Sequence, residues 1–182
     1  MNQIDPVFVL VLRLTLALIF ATALAHKLKA PREFAAVVAE YRLVPEAFVI
    51  AASGALLLLE MLVVLTLVVP ALGRFGAWAA AATLALYAGA MAINLARGRR
   101  AIDCGCSGPA QRQQLSEWLV LRNALLAVLA VLAAQPPAPR LLSGWDVSTV
   151  AFGVAALLLL YSTANHLIAN QPKLKALFPS YD

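Results

Sequence analysis

Apolar residues run through this chain in five long blocks, separated by short breaks rich in charge, proline or glycine. An α-helix rises about 1.5 Å per residue, so a block of about twenty apolar residues matches a ~30 Å hydrocarbon layer. The pattern predicts spans at 7–25, 46–69, 75–96, 116–134 and 147–168. Segment 32–44, between the first two spans, is too polar to cross. There Phe34, Val37, Val38 and Tyr41 recur at helical spacing while Arg32, Glu33, Glu40 and Arg42 fall elsewhere. This predicts a short amphipathic helix, lying in the membrane interface or packed on the spans. Pro31 suits its first turn and Pro45 a stop. Pro70-Ala71-Leu72-Gly73 reads as a tight turn that makes spans two and three an antiparallel hairpin. Ser116-Glu117 reads as a helix cap with an acid in the first turn. The expected fold is all-α: a polytopic transmembrane helical bundle of about five spans, forming a single domain over 1–182 with no internal repeat.

Composition narrows the class. Of 182 residues 63% are hydrophobic and 13% charged, about half the ~25% charged share of a soluble domain. Mean hydropathy is +0.85. A soluble catalytic domain is thereby excluded. The net charge of +5 sits mostly in loops, which reads as an orientation signal and not as a nucleic-acid footprint. No Lys or Arg precedes the first apolar block and no small-residue cleavage site follows it, so no removable signal peptide is expected. Five spans put the first loop, the 97–115 loop and the C-terminal tail on one side, with ten Lys or Arg, against Arg74 and Arg140 on the other. By the positive-inside rule the richer side is cytoplasmic.

Two charges fall deep inside spans. Arg13 lies thirteen residues before His26, and Glu60 fourteen after Glu46, which makes them nearly level in antiparallel neighbours. An unpaired charge at that depth costs at least ~2.5–3.5 kcal/mol, so the two are expected to face each other, as a structural pair in preference to a proton relay.

Both cysteines stand in the most polar loop, Asp103-Cys104-Gly105-Cys106-Ser107-Gly108-Pro109. Cysteines at i and i+2 can bridge only across a sharp turn, with Cα atoms about 4.4–6.8 Å apart. Gly105 supplies the necessary backbone freedom. So small a ring is expected to be strained and easily reduced, as suits a disulfide that is exchanged. Arg97, Arg99 and Arg100 favour a thiolate there and Asp103 opposes it. A three-residue clip removes little chain entropy, yet an inert clip remains open. So does metal binding, with Cys104, Cys106, His26 and His166 as a zinc set or the sulfurs alone for Cu(I), although Cys-x-Cys is not the usual Cys-x-x-Cys spacing. Span parity brings His26, Asn94, Arg122, Asn123, Asn165 and His166 to the cysteine face, which suggests a polar cavity. Each histidine alone also fits a helix-end hydrogen bond.

The ordered set Ala25-His26-Lys27-Leu28, Phe34, Tyr41-Arg42-Leu43-Val44-Pro45, Glu60, Asn94-Leu95-Ala96-Arg97-Gly98 and Asp103-Cys104-Gly105-Cys106, followed by Arg122-Asn123, resembles the MauE family over roughly residues 7–134. That family is related to the DoxX group and associated with methylamine utilisation. The resemblance implies a redox-associated protein of the bacterial inner membrane. It also implies a thioredoxin-like periplasmic partner, MauD, and a disulfide-rich client, the small subunit of methylamine dehydrogenase with its tryptophan-derived quinone. On this reading Cys104 and Cys106 exchange disulfides, supported by His26, Lys27, Glu60, Asn94, Arg97, Arg100, Arg122 and His166. No metal ligand is assigned, and the redox-active disulfide is the only group required, with a quinone or a metal left open. The partners are this pair of proteins and the lipid membrane, and no nucleic acid. Ser107 stands where the family commonly has Phe, which changes the shielding of the disulfide. A periplasmic role sits against the charge count, which places the cysteines in the cytoplasm. The rival readings are a metal-binding or transport protein using the same sulfurs and a non-catalytic assembly scaffold.

Overall fold

The computed structural model describes residues 4–105 and 113–177, with side chains as far as residue 170. Helix α1 (Pro6–Lys29) is followed by α2 (Pro31–Tyr41), and a 3-10 turn at Glu46–Phe48 leads into α3 (Val49–Val68). Then come α4 (Gly73–Ala96), α5 (Glu117–Ala133) and α6 (Gly144–Leu177). Four segments are long and apolar enough to cross a membrane: Pro6–Lys29, Glu46–Val68, Gly73–Ala96 and Gly144–Asn170. The fifth apolar helix, α5, has 17 residues, about 25 Å of rise, and is the short span among the five expected.

Helix α6 overruns the expected 147–168 at both ends, and two further boundaries differ from the sequence pattern for local reasons. Helix α1 runs four residues past Ala25, because Lys27 is buried against a partner and does not mark the membrane edge. Helix α2 ends at Tyr41 and not at Val44, because Arg42 turns left-handed at φ 47 and its N–H bonds to the Ala39 carbonyl. Pro31 does occupy the first turn of α2. Ser116 stands at the N-cap of α5 with Glu117 in its first turn, but the serine side chain makes no capping bond.

Helix α1 packs on α3, α5 and α6, while α4 packs on α3 and α5. Lipid tails are as apolar as leucine, so close approach of backbones, and not flight from water, holds such helices together. The α4 face supplies it: Ala77, Ala80, Ala81 and Leu84 are buried against Leu12 and Leu16 of α1, Val63 and Leu67 of α3, and Ala130 and Ala133 of α5. At the α3–α4 turn the Leu72 amide donates to the Val69 carbonyl, and Gly76 is so near α3 that a Cβ there would lie 2.7 Å from the Leu67 nitrogen. Large apolar side chains such as Ile50, Phe75, Phe152 and Leu160 point outward, the arrangement that a hydrocarbon solvent accepts.

The end opposite the cysteine loop is fastened by Arg140. Its guanidinium donates to both carboxylate oxygens of Asp5, at 3.0 and 3.1 Å, and to both of Asp146, at 2.8 and 3.0 Å. Nearby the Ala138 amide donates to the Ile4 carbonyl. The entry to α1 is thus tied to the start of α6.

Gly76→Ala is expected to destabilise the protein by about 1–3 kcal/mol through overpacking, seen as a lower thermal midpoint in detergent. Gly54→Ala, with open space around its Cβ, serves as the neutral comparison. The Asp5 carboxyl is held below its ordinary 3.8 by hydrogen bonds, first from Arg140 and then from the Val7 amide. A carboxylate with a depressed folded pKa contributes stability that is complete above its unfolded value and is lost as pH falls through the folded one. The midpoint of the wild type should therefore drop between neutral pH and about pH 3, and that of Asp5→Asn should drop less.

Candidate functional site

The cysteine loop is held as a short two-stranded ladder. The Cys104 amide donates to the Gln113 carbonyl at 2.9 Å and the Leu115 amide to the Ile102 carbonyl at 3.0 Å, with Asp103 opposite Gln114. Residues two apart on such a ladder share a face. Ile102 and Cys104 accordingly turn inward together, onto Met91 of α4 and onto Leu115 and Leu119. Asp103 folds back to accept the Gly105 amide at 3.0 Å, and Gly105 takes φ +74. The left-handed conformation is one that glycine adopts without strain. A Cβ on Gly105 would also stand 3.0 Å from Val37 of α2, so this glycine is fixed twice over.

Cys104 is buried at 7% exposure. Its Sγ lies 3.9 Å from the Met91 sulfur and 3.8 Å from Arg122 Nη2, and its carbonyl accepts the Tyr41 hydroxyl at 3.4 Å. Arg122 is itself positioned from α6, donating to the Asn165 side chain and lying 5.8 Å from the centre of the Tyr161 ring. Tyr161 and Asn165 are one helical turn apart, so both reach the same guanidinium. Cys106, Ser107 and Arg112 lie outside the described residues.

A second polar cluster lies deeper. Lys27 donates to Glu60 Oε1 and lies 3.4 Å from the Tyr87 hydroxyl, which donates to the same carboxylate oxygen at 2.7 Å. The ammonium also stands 4.9 Å from the ring centres of Phe34 and Tyr87. Glu60 is 1% exposed, and its second oxygen accepts no hydrogen bond among the described residues.

This corrects the expected pairing of Arg13 with Glu60. The level count took His26 and Glu46 as facing ends. In the bundle Lys27, in the last turn of α1, is level with Glu60, about three turns into α3. Arg13 therefore falls lower, and its Nε donates to the carbonyl of Ala133 at 3.0 Å. That is the last residue of α5, where carbonyls lack helical partners and the dipole is negative. The arginine acts as a cap.

The other named residues divide. Asn94 is buried, bonded to the Ala90 carbonyl and to Arg99. Arg99 in turn reaches the carbonyls of Glu40 and Tyr41, joining the end of α2 to the end of α4. Asn123 is buried and bonded to its own helix at Leu119. Arg97 is exposed, and Arg100 is exposed and paired with Glu117, which holds its charge above the ordinary arginine range through that hydrogen bond. His26 and His166 are exposed. Among the described residues no group of three His, Cys, Asp or Glu converges. Sequence reasoning missed Tyr87 and Met91 as site residues, although Tyr87, Met91 and Asn94 recur at helical spacing, continuing the buried face of Ala77, Ala80 and Leu84.

A multi-pass membrane protein with a cysteine loop folded onto its helix ends is the class that this architecture defines. A family model, "Methylamine utilisation protein MauE", matches residues 5–135. Methylamine utilisation protein MauE of Paracoccus denitrificans is 38% identical over 163 residues, 89% of this chain and 88% of the relative. The Paracoccus versutus protein of that name is 39% identical over 164 residues, covering 90% and 88%. That of Methylophilus methylotrophus is 34% identical over 157 residues, covering 86% and 82%. The chain belongs to the MauE family. No solved structure matches it. Membership and the four apolar helices make it a multi-pass membrane protein of the methylamine utilisation system, consistent with the bacterial inner membrane.

Breaking one side of a buried ion pair strands the other charge, at about 3–5 kcal/mol. Glu60→Leu and Lys27→Met are each expected to lower the folded yield in detergent, as read by size-exclusion profile. The double variant should recover most of it, because the apolar pair leaves no charge behind.

Proposed function

We propose that this protein is a membrane thiol–disulfide exchange protein, acting through Cys104 and Cys106 in the maturation of an extracytoplasmic protein. The observation that carries the reading is Arg122, a buried guanidinium held by Asn165 and placed 3.8 Å from the Cys104 sulfur. A cation at that point stabilises a thiolate, the form that leaves when a disulfide opens and attacks when it closes. In this reading the incoming thiolate attacks Cys106 and the buried Cys104 is the leaving group. The bond between the two cysteines breaks, a bond from Cys106 to the partner forms, and Cys104 departs as a thiolate facing Arg122. The partner's second thiol then attacks the mixed disulfide, and Cys106 leaves. The partner's dithiol ends oxidised and the cysteine pair reduced. A thioredoxin-like protein of the MauD type, and through it a disulfide-rich client of the methylamine dehydrogenase kind, fits this exchange. Lys27, Glu60 and Asn94 support the helix ends on which the loop rests. His26, Arg97, Arg100 and His166 stand exposed at the same end, where a docking partner would meet them.

In Cys104→Ser the lone Cys106 thiol attacks the disulfide of an oxidised partner, and no neighbouring Cys104 is left to displace that partner. Cells carrying it should accumulate a covalent adduct between Cys106 and a thioredoxin-like protein, visible on non-reducing gels and dissolved by reductant. Arg122→Leu should slow exchange about tenfold, equivalent to roughly 1.4 kcal/mol, with partial rescue by Arg122→Lys. Loss of a bound metal with no adduct would favour the metal-binding reading, and unchanged maturation in Cys104→Ser would favour the scaffold.

A further inference from the structure

Beside the cysteine loop the bundle holds a cleft of about 490 Å³, lined mainly by α2, α3 and α4, within the ~300–1,000 Å³ usual for small-molecule sites. Its sides are aliphatic, with Val38, Ala52, Leu56 and Leu86 among them. Two features interrupt that lining. Cys104 and Gly105 form part of one wall, and Lys27 with Tyr87 brings the buried polar cluster to another. We infer that this cleft binds a membrane-soluble quinone, which takes the electron pair from the reduced Cys104–Cys106 dithiol.

The inference rests on the exchange reading above, since only an exchanging pair needs an electron acceptor. The lining selects the chemical class. A water-soluble acceptor would lose its hydration in so apolar a space and regain little. A saturated acyl chain would bury well but would leave the ammonium and the tyrosine hydroxyl unused, and it accepts no electrons. A quinone has a flat apolar ring with carbonyl oxygens that need donors. Lys27 has three N–H bonds, directed in part to Glu60 and Tyr87, so a donor is left for a carbonyl. Phe34 and Tyr41 supply aromatic faces in the same lining. Glu60 Oε2, buried and accepting no hydrogen bond among the described residues, stands behind Lys27 and Tyr87 as a proton carrier.

The step balances. The dithiol loses two S–H bonds and gains one S–S bond. The two electrons and two protons pass to the quinone, whose carbonyl oxygens become the hydroxyls of a quinol. The disulfide is then ready for another partner dithiol, and the quinol leaves into the lipid.

The test uses the full chain in lipid nanodiscs, reduced and freed of reductant, with decyl-benzoquinone as the probe. Thiol loss is read by maleimide mass shift and quinol formation by ultraviolet absorbance. Wild type should form quinol in step with thiol loss. Ala55→Trp and Leu56→Trp, which fill the cleft from α3, should cut quinone-driven oxidation at least tenfold while the soluble oxidant diamide still closes the disulfide. Oxidation of both variants by quinone at the wild-type rate overturns the site. A photoactivated azidoquinone on Cys104→Ser, where no redox turnover is possible, reads binding alone and decides the matter should the filled variants fail to fold. Labelling in α2 and α3 supports the site. Labelling confined to the second apolar cleft, lined by Leu16, Leu125 and Leu157, overturns it. Failure of the exchange reading shows differently: a single-cysteine thioredoxin fragment would trap no adduct with the oxidised protein, whatever the label does.

Discussion

A lysine and a glutamate buried in a hydrocarbon-facing bundle have no water to fall back on, so each must find the other. The Lys27–Glu60 pair is the constraint from which the cysteine end of this protein is built. It fixes how far α1 and α3 slide past one another, because a shift of one turn would strand both charges. Tyr87 joins the pair from α4, which brings a third helix into the same register. Aromatic rings beside the ammonium add attraction that strengthens away from water. Hydrophobic packing alone sets no such register in a bilayer, where a leucine gains little by meeting another leucine in place of lipid.

From that pair the route to the sulfur is short. Helix α1 ends two residues after Lys27, and Pro31 starts α2, so the position of α2 follows from the register of α1. Arg99 then ties the far end of α2 to α4 by donating to the carbonyls of Glu40 and Tyr41. The cysteine loop lies down against this frame, with Gly105 on Val37 and Cys104 on Met91. Arg122 brings α5 and α6 to the same sulfur. The reactive atom is therefore located by helices that are distant in sequence, although it sits in a loop.

What was readable in the sequence follows from how local the cause is. Spans and turns are written in runs of neighbouring residues and reappear in the structure, as does the described part of the cysteine loop up to Gly105. Pro31 and Ser116 take the helix-start positions their chemistry suggests, though the serine hydroxyl makes no cap. The partner of Glu60 was not readable, because it depends on the offset between two helices. Counting from the visible ends put Arg13 level with it, whereas Lys27 looked like a residue at the membrane edge and proved to be 5% exposed. A lysine stem is long and apolar, so two residues of sequence near a helix end hide whether the charge points out or in. The histidines show the same limit from the other side. Parity placed them at the right end of the bundle, but the direction of a side chain around a helix depends on the neighbours it packs against, and both are exposed.

The ion pair also has a history in time. The two residues are separated by 33 positions, and a chain made from its N-terminus presents the lysine to the membrane well before the glutamate. During that interval Lys27 has one safe place, the headgroup region, which its flexible stem can reach from the last turn of α1. Arrival of α3 then draws the charge inward, and the first hairpin of the bundle closes only when its acid has been delivered. A ribosome pause or a misplaced α3 would leave the nascent chain with its ammonium still at the surface, a mark by which unfinished molecules differ from finished ones.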